Sequence, residues 1–418
     1  MTDAVVIGAG IAGLTAALRL ARGGATVTLV SGGLGGLQLS QGSIDILGYA
    51  PGLVGRPLDA IDDLAERSPA HPYARLGSGR VASSVGWLAD SLPGVFTGDP
   101  THNMLLPTAV GVARPTALAP PSLATGDLRD GASIAVVGLR VLKDFHPGLV
   151  ASNISRVTLP DGGSVDATSA WIDMEARPGE ADTSPLNVAR AMDDDAFRRR
   201  FGDALARAAG DAGIIGVPAV LGIRQPGVWE ALCHQVGRPV FEIPTPPPGV
   251  PGMRINTTLT DAVRAAGVRL IMGGRVVDHG GTSSRRGGGA TDAAGRNRRF
   301  PARAFVLAPG GFESGALHVD SRWNVTERAL GLPVSGPPAD QPIVQEDYRG
   351  DHPLFLSGLA VDDSMRVVRP GTDDPVYDNV HAAGGVIAGA VRWTEKSGEG
   401  IAIASAVAAA DAILKELS

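Results

Sequence analysis

Ala4–Val5–Val6–Ile7 runs into Gly8–Ala9–Gly10–Ile11–Ala12–Gly13, then Leu14–Thr15–Ala16–Ala17–Leu18–Arg19–Leu20–Ala21–Arg22, Gly23–Gly24 and Ala25–Thr26–Val27–Thr28–Leu29–Val30. The apolar, β-branched opening fits a buried parallel strand. Leu14, Ala17, Leu18 and Ala21 fall on one face of a helix, which the glycine pair ends before a second strand begins. This is a strand, glycine turn, helix and strand in sequence. In a Gly-x-Gly-x-x-Gly turn the first glycine allows the tight bend, the second admits a phosphate, and the third packs helix on strand. The helix start offers free N–H groups and a positive dipole end to that phosphate. Gly8, Ala9, Gly10, Ile11, Ala12 and Gly13 are therefore predicted to bind a nucleotide.

Such sites usually carry an acid at the end of the second strand, where it holds the adenosine ribose. Here that position is Ser31, followed by Gly32 and Gly33. The missing carboxylate fits FMN, which has no adenosine half, and makes FAD the alternative. A hydroxyl can also hydrogen-bond a ribose, so the residues leave the choice open.

Two distant segments repeat the pattern. Ala304–Phe305–Val306–Leu307–Ala308–Pro309–Gly310–Gly311 reads as a strand entering a glycine turn. Val380–His381–Ala382–Ala383–Gly384–Gly385–Val386 reads as another, and leads through Lys396–Ser397–Gly398–Glu399–Gly400 into a helix over Ile401–Leu417. An N-terminal dinucleotide turn with such a C-terminal strand, glycine turn and helix is the skeleton of a two-domain flavoprotein. The expected fold is α/β, with a Rossmann-like parallel sheet and an inserted cap or substrate domain. Residues 1–50 and 300–418 are expected to form the flavin domain, and 51–299 the inserted region, which partly completes it. The last helix would aim its positive end at the flavin, whose reduced form is negative near N1 and O2. Lys396 either adds charge there or is a solvated loop lysine. Gly310, Gly384, Gly385, Gly398, Gly400 and Ile401 complete the expected cofactor set.

The chain resembles the family of flavoprotein B subunits of anaerobic glycerol-3-phosphate dehydrogenase. The match is carried by Val6–Leu14, Leu39–Ser40–Gln41–Gly42–Ser43–Ile44–Asp45–Ile46–Leu47, Pro69–Ala70–His71–Pro72–Tyr73, Ile134–Gly138 with Asp144–Phe145, and Pro244–Arg254. Segments 304–315 and 379–413 agree in order and spacing, so the likeness spans nearly the whole chain. The family's last turn can be rich in glycine and cysteine, whereas this chain has Lys396–Gly400; the backbone role of a helix start survives that change.

The resemblance implies oxidation of glycerol 3-phosphate to dihydroxyacetone phosphate, with electrons passed toward a quinone under anaerobic conditions. It implies two partners in the same complex, a catalytic A subunit and an iron–sulfur membrane C subunit. Ser40, Gly42 and Ser43 would fold over the flavin ring. Arg254 would lie near the active cavity, either clamping a phosphate bidentately or satisfying loop carbonyls. His71 is a candidate only by its place in a family-like motif, with a capped structural histidine as the other reading. No catalytic base is named. A non-catalytic flavin relay or scaffold protein and a stand-alone FAD reductase or dehydrogenase are the competing functions.

Composition bounds these readings. At 418 residues, and roughly 150 per domain, two or three domains are expected. The net charge of -6 gives no support for nucleic-acid binding. Cys233 is the single cysteine, which excludes a Cys-ligated cluster built by this chain alone. The eight histidines are scattered with no metal-ligand spacing, and no metal is expected. No apolar run approaches the ~20 residues of a membrane helix, and the start does not read as a signal peptide. A cytoplasmic protein is expected, with any membrane association made through a partner.

In the middle of the chain, helices are predicted over Leu58–Arg67, Val81–Leu92, Val188–Ala209 with a break near Asp193–Asp195, and Leu259–Ala266. Strands are predicted at Ile134–Gly138, Ile214–Val217, Val268–Met272 and Arg275–His279. The acidic triplet Asp193–Asp194–Asp195 reads as a turn or cap. Pro244–Gly252 reads as a stiff loop because each proline fixes φ and removes a donor. Gly280–Arg299 reads as a mobile hairpin tip.

Overall fold

In the computed structural model, the structure describes residues 2–281, 285–293, 296–337, 342–347 and 352–418. The chain divides into two compact units. The first comprises Met1–Gly36, Asp45–Leu92 and Thr258–Ser418, and the second Leu37–Ile44 and Pro93–Thr257. Residues 51–92 and 258–299, expected in an inserted region, therefore belong with the N- and C-terminal segments.

The first unit is built on a sheet with Thr2–Ile7 at its centre. Val27–Ser31 pairs parallel on one side, followed outward by Arg269–Met272. On the other side Arg296–Leu307 pairs parallel, and Val380–Ala382 pairs parallel with it in turn. Ala4, Val5 and Val6 are at most 2 % exposed, as expected of a strand covered on both faces. The helix Ile11–Arg22 packs against the C-terminal helix Gly398–Leu417. Residues 400–410 of that last helix are buried all round, which is why its sequence is Ala-rich rather than striped. Arg19 ties the two helices through Asp411 at 2.7 Å.

Outward from Arg296–Leu307 the sheet continues antiparallel through Arg286–Ala293 to Arg275–Gly281. Most of the expected hairpin tip is thus ladder; residues 282–284 and 294–295 lie outside the described residues. The helix expected from Val81 begins nine residues earlier, at Pro72, and takes a kink at Gly77 (φ 70°, ψ 153°). His71 caps its start by accepting the Tyr73 N–H at 3.1 Å.

The second unit has its own parallel sheet, in the order Val240–Ile243, Ile214–Pro218, Ser133–Leu139, Asp166–Ile172. Val136, Phe145, Phe201, Val217 and Phe241 fill its core. The expected break at the acidic triplet separates Pro185–Met192 from Asp195–Ala208. Asp194 caps the second helix through the Phe197 N–H at 2.8 Å, and Asp193 accepts the N–H groups of Ile223 and Gln225, each at 3.1 Å. The proline-rich loop passes into a helix already at Val250, with Pro251 in its first turn, where a missing N–H costs nothing.

Candidate functional site

The N-terminal glycine corner is a backbone device with one open face. Gly8 has φ 113°, and a Cβ there would stand 2.1 Å from the Ala308 carbonyl oxygen. A Cβ on Gly13 would stand 2.0 Å from the Gly8 oxygen. Both positions therefore exclude any side chain. Gly10 differs: nothing lies within 4 Å of a Cβ placed on it. It is the N-cap of Ile11–Arg22, and among the described residues no side chain caps that helix start. Ala9 and Ala12 are buried. Thr15, one turn in, has a buried hydroxyl with no hydrogen-bond partner among the described residues. A corner with an uncapped helix start, an open glycine and a buried free hydroxyl suits a phosphate-bearing ligand.

The loop after the second strand folds back on this corner. A Cβ on Gly35 would lie 2.5 Å from the Ala9 oxygen. Ser31 closes its own turn, donating to the Gly33 oxygen at 2.6 Å, while Gly32 and Gly33 are exposed.

The two later corners converge on the first. Ala308 meets Gly8, as above, and its Cβ is 3.6 Å from the Cβ position of Gly13. Gly384 (φ 74°) donates its N–H to Ser405 at 2.9 Å, and a Cβ on it would sit 2.9 Å from the Ala12 Cβ. Gly310 has φ 89° beside Ser314. Gly311 and Gly385 both face Arg392, which donates to the Gly385 oxygen at 2.7 Å and pairs with Glu313 at 3.3 Å. Arg392 was not singled out from sequence, since it belongs to no motif and reaches the corner only through the fold.

His381, in the strand leading to Gly384, is fully buried; its Nδ1–H donates to the Ser364 oxygen at 2.9 Å. Burial holds its ring below the usual 6.5, against the opposing pull of that hydrogen bond. The unfolded chain takes up this proton more readily than the folded one. Stability from His381 is thus full above 6.5 and is lost as pH falls from there through the folded value. In His381→Asn, whose amide can still donate to Ser364, denaturant unfolding is expected to lose part of the parent's decline between neutral and mildly acid pH.

At the last turn, Lys396 takes the left-handed conformation (φ 53°) and its Nζ donates to the Trp393 oxygen. Gly398 faces the Arg392 Cβ at 3.8 Å, and Ile401 is buried. Gly400 is a packing glycine, because a Cβ there would meet the Tyr73 hydroxyl at 2.3 Å and the Ile46 Cα at 2.9 Å. Its N–H donates to the Asp45 oxygen at 3.0 Å, so the helix start is partly satisfied by the loop at 45–46.

The remaining candidates lie in the second unit. Ser40 donates to the Leu37 oxygen at 2.9 Å and accepts the Gly42 N–H at 3.2 Å. Gly42 (φ 84°) packs on Pro251, and Ser43 accepts from Gln41 at 2.9 Å. Arg254 pairs with Glu242, whose side chain is 0 % exposed, and donates to the Leu221 oxygen at 3.2 Å. Glu242 also accepts from Ser122 at 2.7 Å and from the Leu221 N–H at 2.8 Å. The structural reading of Arg254 thus has a specific partner set. The candidates fall into two groups, one in each unit.

A cavity of about 700 Å³ in the first unit is lined by His71, Arg75, Leu359, Val361, Asp373 and neighbours, and by none of the corner glycines. Among the described residues no cluster of His, Cys, Asp or Glu is arranged to hold a metal, and no helix is long and apolar enough to cross a membrane.

The family model described as FAD binding domain matches residues 3–401. The probable B subunit of an anaerobic glycerol-3-phosphate dehydrogenase from Halobacterium salinarum is 33% identical, over 98% of this chain and 97% of the relative. The B subunit of the anaerobic glycerol-3-phosphate dehydrogenase of Yersinia enterocolitica is 30% identical, over 99% and 98%. The 3-ketosteroid delta1-dehydrogenase of Sterolibacterium denitrificans aligns with a TM-score of 0.45 at 12% identity, covering 99% of each chain. The family description names FAD, which corrects the choice of FMN as first cofactor. The absent acid at Ser31 was the sole basis for FMN, and a strand-end hydroxyl does not exclude an adenosine ribose.

Proposed function

The chain belongs to the FAD-binding-domain family and to the B subunits of anaerobic glycerol-3-phosphate dehydrogenase, and from that premise we propose that it carries FAD on the converged glycine corners of its first unit. It is a flavin-dependent oxidoreductase. In the proposed complex, glycerol 3-phosphate is oxidised to dihydroxyacetone phosphate and electrons pass to a quinone. Bound FAD supplies hydride-accepting chemistry.

This chain's own residues do the holding. Gly8–Gly13 and the uncapped helix start take the pyrophosphate, with Gly10 as the point of closest approach. Ser31, Gly32 and Gly33 border the ribose. Gly310, Gly384 and Gly385 shape the wall opposite, while Lys396, Gly398 and Ile401 form the last turn; Gly400 serves by letting Tyr73 pack. The observation that carries this reading is the meeting of Ala308 with Gly8 and Gly13, and of Gly384 with Ala12, from chain segments some 300 residues or more apart in the sequence.

A second reading concerns where substrate is oxidised. Arg254 is the candidate for the phosphate, yet its guanidinium is already paired with Glu242. That favours a relay role, with glycerol 3-phosphate oxidised on a catalytic A subunit and electrons passed to an iron–sulfur C subunit. A single cysteine leaves clusters to a partner. The protein is proposed to be cytoplasmic, reaching the membrane only through such a partner.

Mass analysis of the denatured protein's released cofactor is expected to show FAD. Anaerobic titration with glycerol 3-phosphate then separates the two readings. Bleaching of the visible flavin band in the isolated chain assigns it a substrate site. Bleaching by dithionite but not by substrate assigns the relay. A chain that stays colourless after incubation with FAD would overturn the flavin reading.

A further inference from the structure

The corner where the C-terminal helix begins is held by a pair of side chains, His71, which is buried, and Glu395, which is half-buried and belongs to no motif. His71 is 2 % exposed, and its Nδ1 accepts the Tyr73 N–H at 3.1 Å. An acceptor at Nδ1 places the ring proton on Nε2. Nε2–H therefore donates to Glu395 Oε2, at 3.1 Å. The Ser397 hydroxyl donates to the same oxygen at 2.7 Å, and the Val391 N–H donates to Oε1 at 3.0 Å. Three donors fix this carboxylate. Burial alone would raise its pKa, yet those bonds, His71 first, hold it below the usual 4.5, so it is ionised at neutral pH.

The same residues tie three chain segments together. The Glu395 carbonyl accepts the Gly48 and Tyr49 N–H groups at 2.8 and 3.0 Å. The Tyr73 hydroxyl donates to the Ile46 oxygen and reaches the Ser397 oxygen at 3.4 Å. Ser397 is the N-cap of Gly398–Leu417. His71 cannot relay protons through Glu395, because Nδ1 is engaged by a backbone amide. Its chemistry is that of a fixed donor. Asp45 and Glu399 stand close enough, with Glu395, to be felt at the buried Tyr73 hydroxyl. Three carboxylates therefore oppose the positive end of the helix, against the cations Lys396 and Arg392 nearby in the chain.

We propose that His71 and Glu395 are positioning residues for the flavin's electrostatics: His71 locks the Glu395 carboxylate against Ser397, and that fixed negative charge holds the flavin's reduction potential down. The inference rests on the flavin reading above. A low-potential flavin suits a centre that hands electrons on.

Glu395→Gln keeps the side chain's length and removes its charge; its carbonyl oxygen can still accept from His71 and Ser397, while the Val391 N–H loses its acceptor. Spectroelectrochemistry of the FAD-loaded chain is expected to show a higher potential, by at least a tenfold shift in the oxidised-to-reduced equilibrium, about 30 mV for a two-electron couple. An unchanged potential in a folded, FAD-loaded Glu395→Gln protein overturns the proposal. His71→Asn is the second variant. Asparagine is a good N-cap and can still accept the Tyr73 N–H, but it cannot reach Glu395. In it the potential is expected to rise and hydrogen exchange at residues 397–401 to quicken at least tenfold; if neither moves, the pair positions nothing. A parent that takes up no FAD defeats the flavin reading and the redox claim together, while hydrogen exchange in the same apoprotein still decides the positioning claim separately.

Discussion

Gly10→Val is expected to fold as the parent does and to lose its cofactor. The backbone at Gly10 (φ -76°, ψ -177°) is extended and open to any residue, and nothing lies within 4 Å of the new Cβ. The fold-level cost is the poorer N-cap, about 1 kcal/mol at most. The added branches instead occupy the one open face of the corner, where the pyrophosphate would need backbone contact. FAD affinity is expected to fall at least ~100-fold, about 2.8 kcal/mol. Gly13→Ala provides the contrast. Its methyl would stand 2.0 Å from the Gly8 oxygen, so turn and helix must part, and stability itself falls by about 3 kcal/mol. Thermal unfolding of the two apoproteins, beside fluorescence titration with FAD, separates these effects. A Gly10→Val protein that binds FAD with parental affinity removes the cofactor from this corner.

The legible part of the molecule is the part whose signals are local or rest on covalent spacing. The strand at Thr2–Ile7 carries the continuous apolar run Ala4–Ile7 because that part is buried, and the glycines after it have backbone reasons that nothing else satisfies. The distant corners at Ala308 and Gly384 carried the same grammar, so their meeting could be expected. The second unit was harder. Asp166–Ile172 is an edge strand with mostly exposed residues and reads as a polar stretch. Val240–Ile243 carries a glutamate that argues against a core strand, and only Ser122, Leu221 and Arg254, brought in by the fold, make Glu242 acceptable there. Gly77 and Gly79 hid the first turns of Pro72–Ser91, since their local preference opposes a helix that tertiary packing and the His71 cap enforce. Arg392 and Glu395 had no motif at all. Their roles arise from residues about 80 and 320 positions away, Glu313 and His71, a separation that no local pattern encodes.

Arg254→Met is expected to destabilise the second unit by about 2 to 3 kcal/mol, as measured by denaturant unfolding. Glu242 has no exposed side-chain surface, so removing its cation leaves a desolvated carboxylate with, among the described residues, Ser122 and the Leu221 N–H to support it. The figure is set below the value for a fully buried pair because Arg254 keeps 25% of its side chain exposed. The size of the loss cannot by itself distinguish a structural arginine from one that also meets substrate. The double variant Glu242→Gln with Arg254→Met does so. Glutamine still accepts the Leu221 N–H, and the Ser122 hydroxyl can turn to accept from its amide. Most of the lost stability is expected to return, because a neutral pair has no buried charge to compensate. In that restored protein, assembled with its partners, the KM for glycerol 3-phosphate is expected to match the parent if Arg254 serves only Glu242. A KM at least tenfold higher in a protein of recovered stability places the substrate phosphate on Arg254 and removes the basis for the relay reading.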